Sequence, residues 1–137
     1  MSIKKINAAL VTAYQSAYPS VPTAYEGVAF TPPNGKWAQV FNLLSAADPV
    51  TLGKGGEDEV SGVFQIDINV PEGSGTSTLL TDMDTLKSSF VAGKWLAYQG
   101  QNVLIRKADP SAIRRIDGWL RISLSVYYTS RQTRGTI

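Results

Sequence analysis

Histidine and cysteine are both absent from this chain of 137 residues. Without them there is no Cys/His zinc site, no haem or iron–sulfur ligation, no Ser-His-Asp or Cys-His nucleophile pair and no thiol chemistry. Disulfides go with them, and so does the clue to compartment that cysteine usage supplies. Also missing is a continuous apolar run of about 18 residues, the length that a membrane-spanning helix requires. What remains is carboxylate, lysine, arginine, hydroxyl and backbone chemistry. The chain is 43% hydrophobic and 18% charged, the composition and length of a single globular domain over residues 1–137.

Lys4 and Lys5 ahead of a short apolar stretch resemble the start of a signal peptide, but the spacing argues otherwise. Ile3, Ile6, Leu10, Ala13, Tyr14 and Ala17 repeat at three and four residues, while Asn7, Thr12 and Gln15 interrupt any continuous apolar core. An amphipathic first helix is expected, capped by Ser2 and stopped by Pro19 and Pro22. A short extended stretch over 23–30 follows, then a reversal at Pro32-Pro33-Asn34-Gly35. Residues 36–44 read as a strand with Trp37, Val40, Phe41, Leu43 and Leu44 spread over both faces, hence covered twice or part of an interface. Residues 45–59, rich in glycine and ending in Glu57-Asp58-Glu59, read as a long polar loop ordered by a partner or mobile.

The clearest strand is 60–70, where Val60, Gly62, Phe64, Ile66, Ile68 and Val70 alternate with more polar residues, one face buried and the other wet. Pro71-Glu72-Gly73-Ser74-Gly75 breaks it, and Thr76 or Ser77 opens a second helix with Leu79, Leu80, Met83, Leu86 and Phe90 on one side. A hairpin around residues 99–102, a loop over 109–117 and a last alternating strand complete the chain, with 130–137 expected as a flexible tail. The order α-β-β-β-α-β-β-β predicts an α+β domain. Its sheet is mainly antiparallel, of about five strands, with both helices on one face.

The net charge of +2 hides an asymmetry: residues 1–93 carry five basic and nine acidic side chains, residues 94–137 eight basic and two acidic. Two chemistries meet that pattern. One is self-association of complementary surfaces; the other is an anionic partner such as nucleic acid, met by Arg106, Lys107, Arg114, Arg115, Arg131 and Arg134. No helix-turn-helix, zinc-finger or RRM signature accompanies the basic residues. Glu57-Asp58-Glu59 lacks EF-hand spacing, and Pro71-Glu72-Gly73-Ser74-Gly75-Thr76 lacks the lysine of a P-loop, so neither a metal nor a cofactor is expected. A hydrolase built on paired carboxylates survives only as a possibility that counting cannot remove.

Several stretches taken together resemble the phage tail terminator-like proteins, small structural proteins of long non-contractile tails. They are Ala24-Tyr25-Glu26-Gly27-Val28-Ala29-Phe30-Thr31-Pro32-Pro33, Gly62-Val63-Phe64-Gln65-Ile66-Asp67, Val70-Pro71-Glu72-Gly73-Ser74-Gly75, and Asp117-Gly118-Trp119 to Val126-Tyr127-Tyr128. Gly27 stands where the family pattern has asparagine, which removes any side-chain hydrogen bond there. The resemblance implies a non-enzymatic virion component at the head-proximal end of the tail, assembled in the host cytoplasm as a ring, expected as a hexamer. It implies further copies of itself, the tail tube protein and a head-completion or neck protein as partners, with non-specific contact to DNA in the lumen and no membrane. On that reading the acidic run Glu57, Asp58 and Glu59 and the basic residues Arg114, Arg115, Arg131 and Arg134 are the candidate subunit or tube contacts. A small nucleic-acid-binding module, or another head-tail joining protein, is the alternative.

Overall fold

A computed structural model of the chain describes residues 3–51, 53 and 55–133. Two helices, α1 (Ile3–Ala17) and α2 (Ser77–Ser89), accompany seven strands: β1 (Thr23–Ala24), β2 (Trp37–Pro49), β3 (Glu57–Pro71), β4 (Trp95–Tyr98), β5 (Gln101–Pro110), β6 (Arg114–Ile116) and β7 (Trp119–Thr133). The sheet runs β1-β2-β3-β7-β5-β4, with β6 paired to β7 off that path. It is therefore α+β, but larger than about five strands and mixed, because β1 pairs β2 in parallel while every other pairing is antiparallel.

Each departure from the expected order has a local cause. Only Thr23–Ala24 of the 23–30 stretch joins the sheet, where the carbonyl of Pro22 accepts the Ala38 N–H at 2.9 Å. The supposed loop over 45–59 is mostly strand: Ala46 to Pro49 pair with Ser61 to Asp58, and only 50–56 connect β2 to β3. A bulge between Leu44 and Ala46 keeps that ladder going past the end of the apolar pattern, so hydropathy alone could not see it. Likewise β6 lies inside the supposed loop over 109–117. Asp117 and Gly118, both at positive φ (47° and 83°), form the two-residue turn that folds it onto β7, and Asp-Gly is a hairpin dipeptide. Residues 130–133 continue β7 instead of forming a tail; the remainder of 130–137, Arg134 included, and the Ser2 cap lie outside the described residues. Thr76 precedes α2 without a side-chain capping bond.

The core lies between one face of the sheet and the helices. Ile6, Leu10 and Tyr14 of α1 and Leu79, Met83 and Leu86 of α2 meet Val40, Phe64, Ile66, Ile68, Leu124 and Val126. Leu80 is the exception on α2, at 51% exposure. The other face of β3 is not uniformly wet. Asp67 and Asn69 are buried at 2% and 0% exposure, because side chains of β2, β3, β6 and β7 close around them. Asp67 accepts hydrogen bonds from Gln39 Nε2 (3.0 Å), Gln65 Nε2 (2.9 Å) and Ser123 Oγ (2.5 Å).

Gly62 is fixed by a close approach. A Cβ there would stand 2.6 Å from the Tyr128 hydroxyl and 2.7 Å from the Leu43 carbonyl oxygen. The Tyr128 ring, directly across the ladder, occupies the space that a side chain would take. Gly62→Ala is expected to cost about 1–3 kcal/mol in urea unfolding. Combining it with Tyr128→Phe should recover only part of the loss, because the Leu43 carbonyl contact remains.

Candidate subunit interface

Asn42 on β2 organises one side of the molecule. Its N–H donates to Glu26 Oε1 (2.6 Å), its Oδ1 accepts from the Tyr128 hydroxyl (2.5 Å), and its Nδ2 donates to Asn7 Oδ1 (3.2 Å). One residue thus ties α1, the loop after β1 and β7 to β2. Tyr25 adds a second tie, accepting from Gln15 Nε2 at 3.0 Å. Phe30 packs on Trp37 (5.4 Å between centroids), and Trp37 meets Trp119 edge to face at 5.7 Å. Pro71 pairs with Trp119 at the end of β3, and Gly73 and Gly75 take φ of 94° and 78° in the turn before α2. Gly27 is at φ 74°, a conformation that glycine adopts without strain. Pro32 is exposed and Pro33 half-buried in the reversal. The motif residues therefore build the fold and the strap across the β2 edge, not a pocket.

That strap also blunts an edge. Glu26 occupies the outward N–H of Asn42, and Pro49 closes the same strand without an N–H. Between them Leu43 and Leu44 are exposed at 50% and 45%, so β2 is not covered on both sides along its whole length.

Buried phenols add a pH signature. Burial pushes Tyr14 and Tyr128 up to about 12, with their partners Thr23 and Asn42 pulling the other way, and burial followed by the Asp82 carboxylate raises Tyr18 further. Lys36 Nζ sits 2.7 Å from the same Asp82. A phenol whose pKa rises on folding stabilises the fold fully below its unfolded value of about 10, and that stability is lost as pH climbs through the folded value. The phenol contribution to the unfolding free energy should be constant below about pH 10 and fall between about 10 and 12. Tyr128→Phe should make that fall shallower in denaturant titrations across the range.

The sequence-selected charges divide between two ends of β3 and β7. At one end, a cleft of about 450 Å³ opens on the face away from the helices, with Glu57, Glu59, Trp95, Leu104, Arg106 and Arg131 among its lining. Alternation along β3 sends Glu57 and Glu59 to this face and Asp58 to the other, so the acidic run does not converge on one point. Arg131 lies opposite Glu59 in the ladder, and its Nη1 is 3.8 Å from Glu57 Oε1. Acidic and basic portions of the sequence thus already meet within one chain here. At the other end, Arg114 and Arg115 pair with Arg121 and Leu120. Arg115 reaches Glu72 (3.4 Å), while Arg114 Nη2 donates to Ser123 Oγ (2.6 Å) and Arg121 Nε donates to Asn69 Oδ1 (2.7 Å). Trp95, 63% exposed, and Arg121 are the interface candidates that the sequence reading passed over. The signal for Trp95 was the alternation of β4, where Leu96 is buried and its neighbours are not.

Among the described residues no group of three acidic side chains is placed to hold a metal ion, and no helix is long and apolar enough to cross a membrane. A family model described as phage tail terminator protein matches residues 5–128. A solved structure superposes with a TM-score of 0.76 at 22% identity, covering 99% of this chain and 99% of its own, a likeness of fold. No curated protein sequence matches significantly.

Proposed function

The chain belongs to the phage tail terminator family, and from that premise we propose that it forms a closed ring of identical copies on the last ring of the tail tube. In that position it stops tube polymerisation and offers its other surface to a head-completion or neck protein. The observation that carries the reading is the family match over nearly the whole chain, which makes this a structural component of a phage tail. Six copies are the number that the resemblance implies. A closed ring requires two different surfaces on each copy, and the separated charge clusters at the two ends of β3 and β7 supply a pair. The exposed Leu43 and Leu44 and the connection at 50–56 are candidate contacts to the tube or neck.

A nucleic-acid-binding module draws less support. Arg131, Arg115 and Lys107 each stand within 4 Å of a carboxylate, on Glu57, Glu72 and Asp109 respectively, and the basic residues are divided between two ends of the sheet. That arrangement lacks a continuous basic stripe for following a phosphate backbone. Contact with DNA passing through the ring remains part of the proposal, without sequence reading.

The test is tail length. Infection by a phage deleted for this gene should yield tails of uncontrolled length, and supplying the chain in trans should restore the single-length population. Tails of normal length in the deletion would contradict the proposal.

A further inference from the structure

Each end of β3 and β7 carries charged groups that no ion pair among the described residues engages. Arg114 and Arg121 face each other directly across the β6–β7 ladder, an unfavourable placement for like charges, and each is held by a neutral partner instead of a carboxylate. Those partners, Ser123 and Asn69, are buried, so the guanidinium groups are positioned by the sheet and are not swinging freely. Asp117 sits exposed in the turn of the same hairpin, without an ion-pair partner among the described residues. In the cleft at the far end the pattern is inverted. Glu59 on the β3 wall and Arg106 on the β5 side have no ion-pair partner among the described residues, and Trp95 on the edge strand β4 is exposed. A carboxylate on a cleft wall is a partner that a guanidinium selects, through its fork of donors.

Because the ends are separated by the length of the ladder, hairpin and cleft cannot meet within one chain. We infer that the β6–β7 hairpin of one copy docks in the cleft of the next, Arg114 meeting Glu59 while Asp117 meets Arg106. The contact joins two different surfaces head to tail, so its repetition closes a ring where the rotation permits. Both walls are matched in sign, which fixes orientation as well as attraction. This inference rests on the ring reading above and names the subunit contact within it.

Charge exchange tests it. Arg114→Glu and Glu59→Arg, each made alone in the full chain and assembled on purified tail tubes, should raise the protein concentration for half-assembly about tenfold or more. The double variant should return most of that loss. Far-ultraviolet circular dichroism and thermal melts report whether each variant folds, and Arg114→Gln provides a neutral change should the reversal disturb Ser123 and Asp67. Rings that tolerate every single reversal would overturn the inference while leaving the ring reading intact. So would rings that form normally but lose DNA retention in Arg114→Gln, since the arginine would then serve the lumen. If the unaltered chain forms no ring even on tubes, the ring reading itself fails and the inference with it.

Discussion

Asp67→Ala is expected to lower the unfolding free energy by about 2–4 kcal/mol, because it leaves three buried or half-buried donors without an acceptor. Gln39, Gln65 and Ser123 all converge on this one carboxylate, from β2, β3 and β7, and the site is 2% exposed. The network also extends outward, since the Ser123 hydroxyl that donates to Asp67 accepts from Arg114. Removing the carboxylate should therefore weaken assembly beyond what the stability loss explains. Urea midpoints measure the first effect; Asp67→Asn, which retains one acceptor oxygen, should recover part of it. A midpoint unchanged in Asp67→Ala would show that the cluster is solvated and carries no stability.

Phe64→Ala should cost more, about 3–5 kcal/mol, the range for emptying a large aromatic site in a core. Phe64 is 1% exposed on β3, and its ring lies 6.3 Å from that of Phe90, at the end of α2. The contact adds to the packing of Leu79, Met83 and Leu86 against the sheet, so the substitution removes apolar area from both layers at once. For a domain of this size such a loss is a large share of total stability, and the variant is expected to unfold at a urea concentration far below that of the unaltered chain. Val63→Ala, one residue away on the opposite face, is expected to cost under about 1 kcal/mol, which separates burial from strand propensity.

How much of this was legible in the sequence differs by element. Alternation over 60–70 located the core face of β3 residue for residue, and the three-four spacing of Ile6, Leu10 and Tyr14 located that of α1. Those signals are strong because a buried face leaves a period. Where the period stopped, legibility stopped too. Ser45 to Pro49 and Glu57 to Glu59 are strands with polar, exposed or half-exposed side chains, held by a ladder that continues past the core, so composition reads them as loop. The parallel β1 spans two residues, too few for any pattern, and its partner is chosen by the strap after Pro22. Asp117-Gly118 was a readable hairpin signal, obscured by Pro110 and the adjacent arginines. For the interface, charge counting selected Glu57, Glu59, Arg114 and Arg131, but not their partition between two ends of the sheet. Only the pairing of β3 with β7 shows that Glu57 and Arg131 neighbour each other while Arg114 stands at the far end. Trp95 was assigned to packing for a related reason, since an aromatic residue in a four-residue strand reads as core until its neighbour Leu96 is seen to take the buried side.

Negative-stain microscopy of the purified chain, alone and with purified tail tubes, tests the central claim most directly. Closed rings of uniform size, seated at one end of each tube and blocking further growth, are the predicted result. A chain that stays monomeric under both conditions, on tubes that continue to elongate, would contradict it.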